Sequence, residues 1–374
     1  MKKISLSEYK NPIRYFRFLA ILIKEKNKNI DDFFYDELDK TPSSFWKALN
    51  GNVRLSTANN LLKIICDYLG YKIPADEVID ELEEILNKVY YSIYYKLTTN
   101  FEEELILLNK LIEQNYIVFP IIKMFKILIN LSILNSGKAI NENEEDFKRI
   151  SKYIPLFSED LLVIYEFLDL SFKKQINEYV LNSDYKNEIS YYTLSGKCLL
   201  SGHYSNAIKF ALIAKNKFYE NNNLKRIIHT NLNIMEYYNI LKKYDESYLL
   251  TIQQFETLKS LNFSNCDQEY KKTIVHHIVS CIGLRKYNEA ITYIESLKEL
   301  NLNVIVLSIV CCFYSDFTIN VLNLNSISNE RKEKVTSVKE LIDRYLTKRN
   351  IKDEQKILKM EILQSIKSLI VNPT

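Results

Sequence analysis

The sequence is poor in the two residues that interrupt helices, since it contains only six glycines and six prolines among 374 residues. Both residues are unfavourable inside α-helices. A chain with so few of them is therefore expected to be all-α, with short turns. The glycines are also dispersed along the chain, which excludes a glycine-rich loop around a nucleotide phosphate.

Long apolar runs and export signals are missing as well. The most apolar stretch, residues 121–134, is interrupted by Lys123, Lys126 and Asn130, so it is too short and too polar to span a bilayer. The N-terminus has two lysines but no apolar segment behind them, which argues against a signal peptide. The six cysteines form no C-x-x-C pair. They indicate reduced thiols, and we expect a cytoplasmic protein that does not enter the membrane.

Catalytic and metal-binding motifs are equally scarce. The four histidines form no H-E-x-x-H motif, and the adjacent His276 and His277 would point about 100° apart on a helix. Acidic pairs such as Glu102 and Glu104 fall in the first turn of a predicted helix, where the helix dipole favours them. No nucleophile and base can be paired from their spacing. The sequence therefore predicts no enzyme, no cofactor and no metal site.

What the sequence does contain is a repeated helix turn, in which a tyrosine is followed three residues later by a small residue. The three copies are Tyr204 with Ala207, Tyr244 with Ser247, and Tyr287 with Ala290. Their spacing of about 40 residues is typical of stacked helical arrays. A helix pair cannot bury its apolar face alone, so each pair needs neighbours. We predict a tetratricopeptide-like solenoid over residues 75–325, in which the small residue allows close helix approach and the tyrosine packs against the preceding unit.

The N-terminal residues 1–72 are predicted to form four short helices, and the segment 41–63 carries a specific pattern. Its third helix places small polar side chains and a lysine on one face and Phe45, Ala48 and Leu49 on the other. We expect Thr41 and Ser56 to cap the third and fourth helices, and Gly51 to end the third. A polar face of this kind fits a DNA major groove, and the turn that follows it can hold phosphates. The predicted DNA-binding residues are Ser43, Ser44, Lys47, Asn50, Asn52, Arg54 and Ser56.

This segment resembles the phage-repressor-like helix-turn-helix family, in which a Ser-rich recognition helix ends in Asn-Gly and leads into a Ser-capped helix. The matching residues are Ser43, Ser44, Phe45, Asn50, Gly51, Leu55, Ser56, Leu61, Leu62, Lys63 and Ile64. The sequence departs from the family upstream, where four acids between Asp31 and Glu37 would repel a DNA backbone. The alternative is a helical adaptor that does not bind DNA, in which Phe45 and Trp46 are simply core residues.

The first helix of a tetratricopeptide unit lines the concave face of the array. In the unit before Tyr244 that helix carries a polar stripe in which asparagines can bracket a peptide backbone and Arg226 can meet a carboxylate. A solvated helix face would show the same pattern. The predicted peptide-binding residues are Tyr192, Arg226, His229, Asn233, Glu236, Asn239, Lys272 and His276.

A helix-turn-helix domain joined to a long tetratricopeptide array resembles the peptide-pheromone receptors of the RRNPP group, and within it most closely the arbitrium receptors of temperate phages. The resemblance implies a regulator that binds double-stranded DNA as a homodimer. It also implies that a short signalling peptide switches this binding and thereby controls lysis or lysogeny. Residues 326–374 are expected to cap the array or to join the dimer through two charged helices. A Rap-type adaptor that binds a response regulator, or a protein-interaction scaffold, would use the same array.

Overall fold

The structure is a computed structural model that describes residues 3–296, apart from residues 27, 98, 134–135, 174–175, 178–179, 182–184, 186 and 264–266. Within these residues the chain is helical and contains no β-strand, which confirms the predicted all-α class. The predicted C-terminal helices and dimerisation segment, residues 326–374, lie outside the described residues.

Fifteen α-helices are described, together with three short 3₁₀ or π segments. The N-terminal part contains the 3₁₀ turn Ser7–Lys10, α1 (Pro12–Glu25), α2 (Ile30–Asp32) running into a π-helical segment (Phe33–Glu37), α3 (Ser43–Leu49) and α4 (Leu55–Leu69). The middle part contains α5 (Asp76–Tyr95), α6 (Glu102–Glu113), α7 (Phe119–Ile133), α8 (Ser136–Ile150), the 3₁₀ turn Ser151–Leu156 and α9 (Glu159–Phe172). The last part contains α10 (Glu188–Leu200), α11 (Tyr204–Glu220), α12 (Leu224–Ile240), α13 (Tyr244–Ser260), α14 (Gln268–Gly283) and α15 (Tyr287–Glu295).

The chain divides into two compact units. The first comprises residues 1–201 and 216–226, and the second comprises residues 202–215 and 227 onward. The boundary predicted at residues 72–75 therefore falls inside the first unit, which holds the four N-terminal helices together with α5 to α10.

The first four helices share an aromatic core. α1 packs against α2, α3 and α4, and the ring of Phe45 on α3 lies 5.5 Å from that of Phe16 and 5.2 Å from that of Phe34, measured between centroids. Phe45 is fully buried, and so is Ala48, one helical turn along α3. Burying these side chains fixes which face of α3 meets the core, so the opposite face is left to solvent.

The ends of α3 and α4 differ in part from the sequence prediction. Gly51 does end α3, with φ of 76°, and the N–H of Asn52 donates to the carbonyl of Lys47 at 2.7 Å, as in a Schellman motif. Thr41 does not cap α3, because Pro42 occupies the N-cap position. Ser56 does not cap α4 either, because the N-cap is Arg54, where the backbone is extended. The helix begins at Leu55, two residues before the start at Thr57 that a cap at Ser56 implies. Ser56 therefore lies within the first turn.

The small residues of the three tyrosine turns are fully buried, as predicted: Ala207, Ser247 and Ala290 have no exposed surface. Ser247 lies between neighbouring helices of the second unit, with its Oγ 3.4 Å from the Met235 carbonyl on α12 and 2.8 Å from Ser280 Oγ on α14. The tyrosine prediction needs correction, because the ring of Tyr244 lies against Gly283 at the end of the following helix, α14. Only a glycine leaves room for an aromatic ring against that backbone.

This contact predicts opposite effects for two Gly→Ala substitutions. A methyl group at Gly283 would overlap the ring of Tyr244, whereas one at Gly196 on α10 would meet nothing within 4 Å. Gly196→Ala should raise the free energy of unfolding by up to about 1 kcal/mol, because alanine favours the helix. Gly283→Ala should lower it by about 1 to 3 kcal/mol through overpacking. Urea denaturation of both variants tests this, and a stabilised Gly283→Ala would contradict the contact.

Candidate functional site

The predicted DNA-binding residues on α3 lie on its solvent face. Ser43, Lys47 and Asn50 are exposed, and Ser44 is half-buried. Since Phe45 and Ala48 are buried on the opposite side, the amphipathic arrangement expected from the sequence is present. A short helix with an exposed amide and an exposed ammonium group has the donors and acceptors needed to read base edges.

The turn after α3 adds further polar groups at the same end of the helix. Asn52, Arg54 and Ser56 are all exposed. Within the part of the chain that the structure describes, neither Lys47 nor Arg54 forms an ion pair with a carboxylate. Both cations are thus available to an anionic partner such as a phosphate, which a protein contacts most often through arginine and lysine.

The acidic segment before α3 is partly engaged in internal contacts. Trp46 Nε1 donates to Asp31 Oδ1 at 2.9 Å, and Glu37 pairs with Lys28. Asp32 and Asp36 are exposed. Trp46 itself is 38% exposed, so it does not belong to the core as the adaptor interpretation expected, although Phe45 does. Of the four carboxylates, Glu37 has a cationic partner and Asp31 a neutral one, so one of the four negative charges is offset.

Among the predicted peptide-binding residues, Arg226 has a structural role. It is buried, its Nε donates to the carbonyl of Tyr94 at 3.0 Å, and its Nη2 donates to the carbonyl of Ile93. Asn223 Nδ2 also donates to the Tyr94 carbonyl, at 2.9 Å. These carbonyls lie in the last turn of α5, where a cation is favourable. The Ile93 carbonyl also accepts from the Lys96 N–H at the C-cap of that helix, at 3.2 Å. Tyr192 lies over the guanidinium at 5.0 Å from its ring centroid. We therefore assign Arg226 to a helix cap and not to a peptide carboxylate.

His229 and Asn239 also make contacts inside the protein, in the second unit. His229 is buried on α12, with its Nε2 3.3 Å from Glu269 Oε1 on α14. Asn239 Nδ2 donates to the backbone carbonyl of His276 at 3.4 Å, and its Oδ1 lies 3.1 Å from Ser280 Oγ. These contacts join α12 to α14, so the two helices present adjacent faces.

The remaining predicted residues are available on these adjacent faces. Asn233 is half-buried and Glu236 and Lys272 are exposed. Neither Asn233 nor Glu236 has a side-chain partner among the described residues. Although part of the Glu236 side chain is exposed, desolvation of its carboxyl group by neighbouring atoms raises its pKa. Burial, helped by the charge of Lys272, lowers the pKa of His276 to about 4, so its imidazole is neutral near pH 7. A carboxylate left partly desolvated and unpaired is a common feature of ligand sites.

Comparison with known proteins gives no assignment: no family model, no curated protein and no solved structure matches the chain. Among the described residues, no helix has the length and apolar character that crossing a membrane requires.

Proposed function

We propose that the chain is a transcriptional regulator that binds double-stranded DNA through α3 and is switched by a short peptide. The observation that carries this proposal is the solvent face of α3. It combines the exposed Lys47 and Asn50 with the exposed, unpaired Arg54 in the turn that follows. The buried Phe45 holds the helix to the core on its other side.

We assign the exposed groups of α3 to base contacts and those of the segment after it to phosphate contacts. Asn50 can hydrogen-bond the N6 and N7 edge of adenine, and Lys47 can donate to the O6 and N7 of guanine in the major groove. The turn after α3 carries Asn52 and Arg54, and the first turn of α4 carries Ser56. These side chains are assigned to phosphate contacts, which fix the orientation of the protein. In a homodimer joined through residues 326–374, two such helices would read paired half-sites.

The peptide is proposed to bind on the adjacent faces of α12 and α14. Asn233 offers both a donor and an acceptor to a peptide backbone, and the unpaired carboxylate of Glu236 offers a counter-ion to a cationic group. This chemistry favours a peptide with a free amino terminus or a basic side chain. A peptide that binds two conformations unequally changes their populations, and hence the affinity for DNA, so that phage lysis or lysogeny can respond to it.

The proposal is tested by selecting genomic DNA fragments with the purified full chain at physiological salt, with and without a library of synthetic short peptides. We expect one paired-site sequence to be enriched. The logarithm of its binding constant should fall linearly with the logarithm of the salt concentration, with a slope of about −0.9 for each phosphate neutralised. Absence of any enriched sequence and of any salt-dependent binding, under both conditions, would rule out a DNA-binding regulator.

Asn233→Ala should weaken peptide binding by about 1 to 3 kcal/mol, because a bound backbone amide would lose its partner. Glu236→Gln should remove the preference for free over acetylated amino termini, because the carboxylate charge is gone. Both are measured by calorimetric titration with peptides selected from the library. The control is Asn288→Ala on α15, an exposed asparagine outside this face, which should bind as the wild type does. Unchanged binding by Asn233→Ala would remove that residue from the site.

A second candidate function, an adaptor for another protein, has one observation in its favour. Tyr35 is 58% exposed and Trp46 is 38% exposed, close to the exposed carboxylates of Asp32 and Asp36 in the sequence. Exposed aromatic residues are enriched at protein interfaces. If the selection finds no DNA and a response regulator protein is retained by the wild type but not by Tyr35→Ala, the adaptor function is supported instead.

A further inference from the structure

Three potential ligand side chains meet in the second unit, and none of them is among the residues assigned to the two surfaces above. His277 and Cys281 are four residues apart on α14 and therefore share a face, and Glu289 lies in the first turn of α15. Their ligand atoms all lie within 4.8 Å of one another. We propose that His277, Cys281 and Glu289 form a binding site for a divalent transition metal ion, with Zn²⁺ as the best match.

The orientation of the imidazole favours a ligand role for its Nε2 atom. Thr251 Oγ1 donates to the carbonyl of Tyr248 at 2.6 Å and lies 2.7 Å from His277 Nδ1. A hydroxyl that donates its proton to a carbonyl can only accept from the imidazole, so Nδ1 carries the hydrogen. In the neutral ring, Nε2 then presents a lone pair. Metal-binding histidines are usually held in this way, by a hydrogen bond from the other ring nitrogen.

The carboxylate of Glu289 is the third potential ligand, and it lies close enough to the ring to share either a cation or a proton with it. Glu289 Oε1 lies 3.1 Å from His277 Nε2. A carboxylate and an unprotonated ring nitrogen are both acceptors, so they repel unless a cation or a proton lies between them. The separation is close to the nitrogen to oxygen edge of a tetrahedral zinc site, about 3.3 Å from ordinary bond lengths. Tyr248 OH donates to the same oxygen at 2.8 Å and fixes its position.

Burial of two of the three ligands favours a bound ion, whereas the ammonium of Lys286, 3.7 Å from the ring centroid of Tyr248, opposes it. His277 and Cys281 have no exposed surface, and the rings of Tyr248, Phe255 and Tyr293 lie 5.0, 5.5 and 4.3 Å from the imidazole. The side chain of Glu289 is 34% exposed, which gives the ion a route in and leaves room for a water as fourth ligand. The thiol of Cys281 releases its proton to solvent as the sulfur to metal bond forms. Thiolate and carboxylate then neutralise the 2+ charge.

The choice of metal follows from the ligand types. A set of one nitrogen, one sulfur and one oxygen ligand suits Zn²⁺, whereas Mg²⁺ and Ca²⁺ prefer oxygen alone. The site would join α14 to α15 directly and involve α13 through the hydrogen bonds of Tyr248 and Thr251. Metal binding to the folded chain alone raises its apparent stability.

The test uses the full chain, dialysed against a chelator and titrated with Co²⁺ as a coloured substitute for Zn²⁺. We expect the charge-transfer absorption of a thiolate to cobalt bond, saturating at one ion per chain and lost when Zn²⁺ is added. Cys281→Ala should lose this absorption. Cys198→Ala, which removes a buried thiol from α10, should keep it. No thiolate absorption in the wild type, or the same absorption in Cys281→Ala, would overturn the proposal.

Two further variants keep the test decisive if Cys281→Ala does not fold. Thr251→Val keeps the side-chain shape but removes the acceptor for Nδ1–H, and it should weaken Co²⁺ binding about 10- to 100-fold without removing the absorption. Glu289→Gln, at the partly exposed position, removes a ligand charge and should weaken binding at least as much. Unchanged Co²⁺ affinity in Glu289→Gln would show that the ion binds elsewhere.

Discussion

Replacing Lys47 and Asn50 together by alanine is expected to abolish sequence-specific DNA binding while leaving the protein folded. Both side chains are exposed, and neither makes a hydrogen bond or ion pair within the described ranges. A good base contact is worth about 1 to 3 kcal/mol of discrimination, so losing two should reduce affinity for the selected site at least tenfold. Gel-shift titration measures the affinity, and circular dichroism checks the helix content.

The matched control is Lys259→Ala with Asn288→Ala, which removes the same charge and the same amide from exposed positions on α13 and α15. This control should bind the selected DNA as the wild type does. If both double variants lose affinity equally, the effect is one of overall charge, and the specific role of α3 is refuted. If neither loses affinity, α3 does not contact the DNA.

Arg226→Met is expected to lower the free energy of unfolding by about 2 to 4 kcal/mol. The substitution keeps an apolar stem of similar length but removes the charged donors that hold the carbonyls of Ile93 and Tyr94. Asn223 still reaches the Tyr94 carbonyl and the Lys96 N–H still reaches the Ile93 carbonyl, so the loss is that of the two charged hydrogen bonds. Hydrogen bonds to a charged group contribute about 1.5 to 3 kcal/mol each. Denaturant titration followed by circular dichroism measures the change.

Two further variants distinguish the loss of the hydrogen bonds at the end of α5 from the loss of a positive charge alone. Lys225→Met alters the exposed neighbouring residue and should change stability by less than about 0.5 kcal/mol. Arg226→Lys keeps the charge but not the forked donors, so it should recover only part of the loss. A fully stable Arg226→Met that instead fails to bind peptide would return this residue to the ligand site.

The sequence predicted best what depends on local composition and periodicity. The scarcity of glycine and proline led to the all-α class, and the alternation along α3 correctly assigned Phe45 and Ala48 to the core. The positions of Ala207, Ser247 and Ala290 were recognised because close helix packing requires small side chains wherever it recurs. The start of α4 was missed by two residues, because the N-cap is set by the extended backbone of Arg54 and not by the preference of serine for that position.

What the sequence could not predict is which groups meet across the fold. A spacing of about 3.5 residues groups Arg226 with Asn233 on one stripe. It does not reveal that the end of α5 lies beside Arg226, because α5 is remote in the sequence. The cluster of His277, Cys281 and Glu289 was missed for a related reason. A search for paired histidines ignores mixed ligands, and one of the three comes from the next helix.

The hydrogen bond from Trp46 to Asp31 has a practical consequence, because Trp46 is the only tryptophan in the chain. All tryptophan fluorescence of this protein originates from α3, next to Lys47. Its emission wavelength and quenching report on this one helix without any attached dye. Spectroscopy on the unlabelled protein can therefore follow the environment of α3 during addition of DNA, peptide or metal.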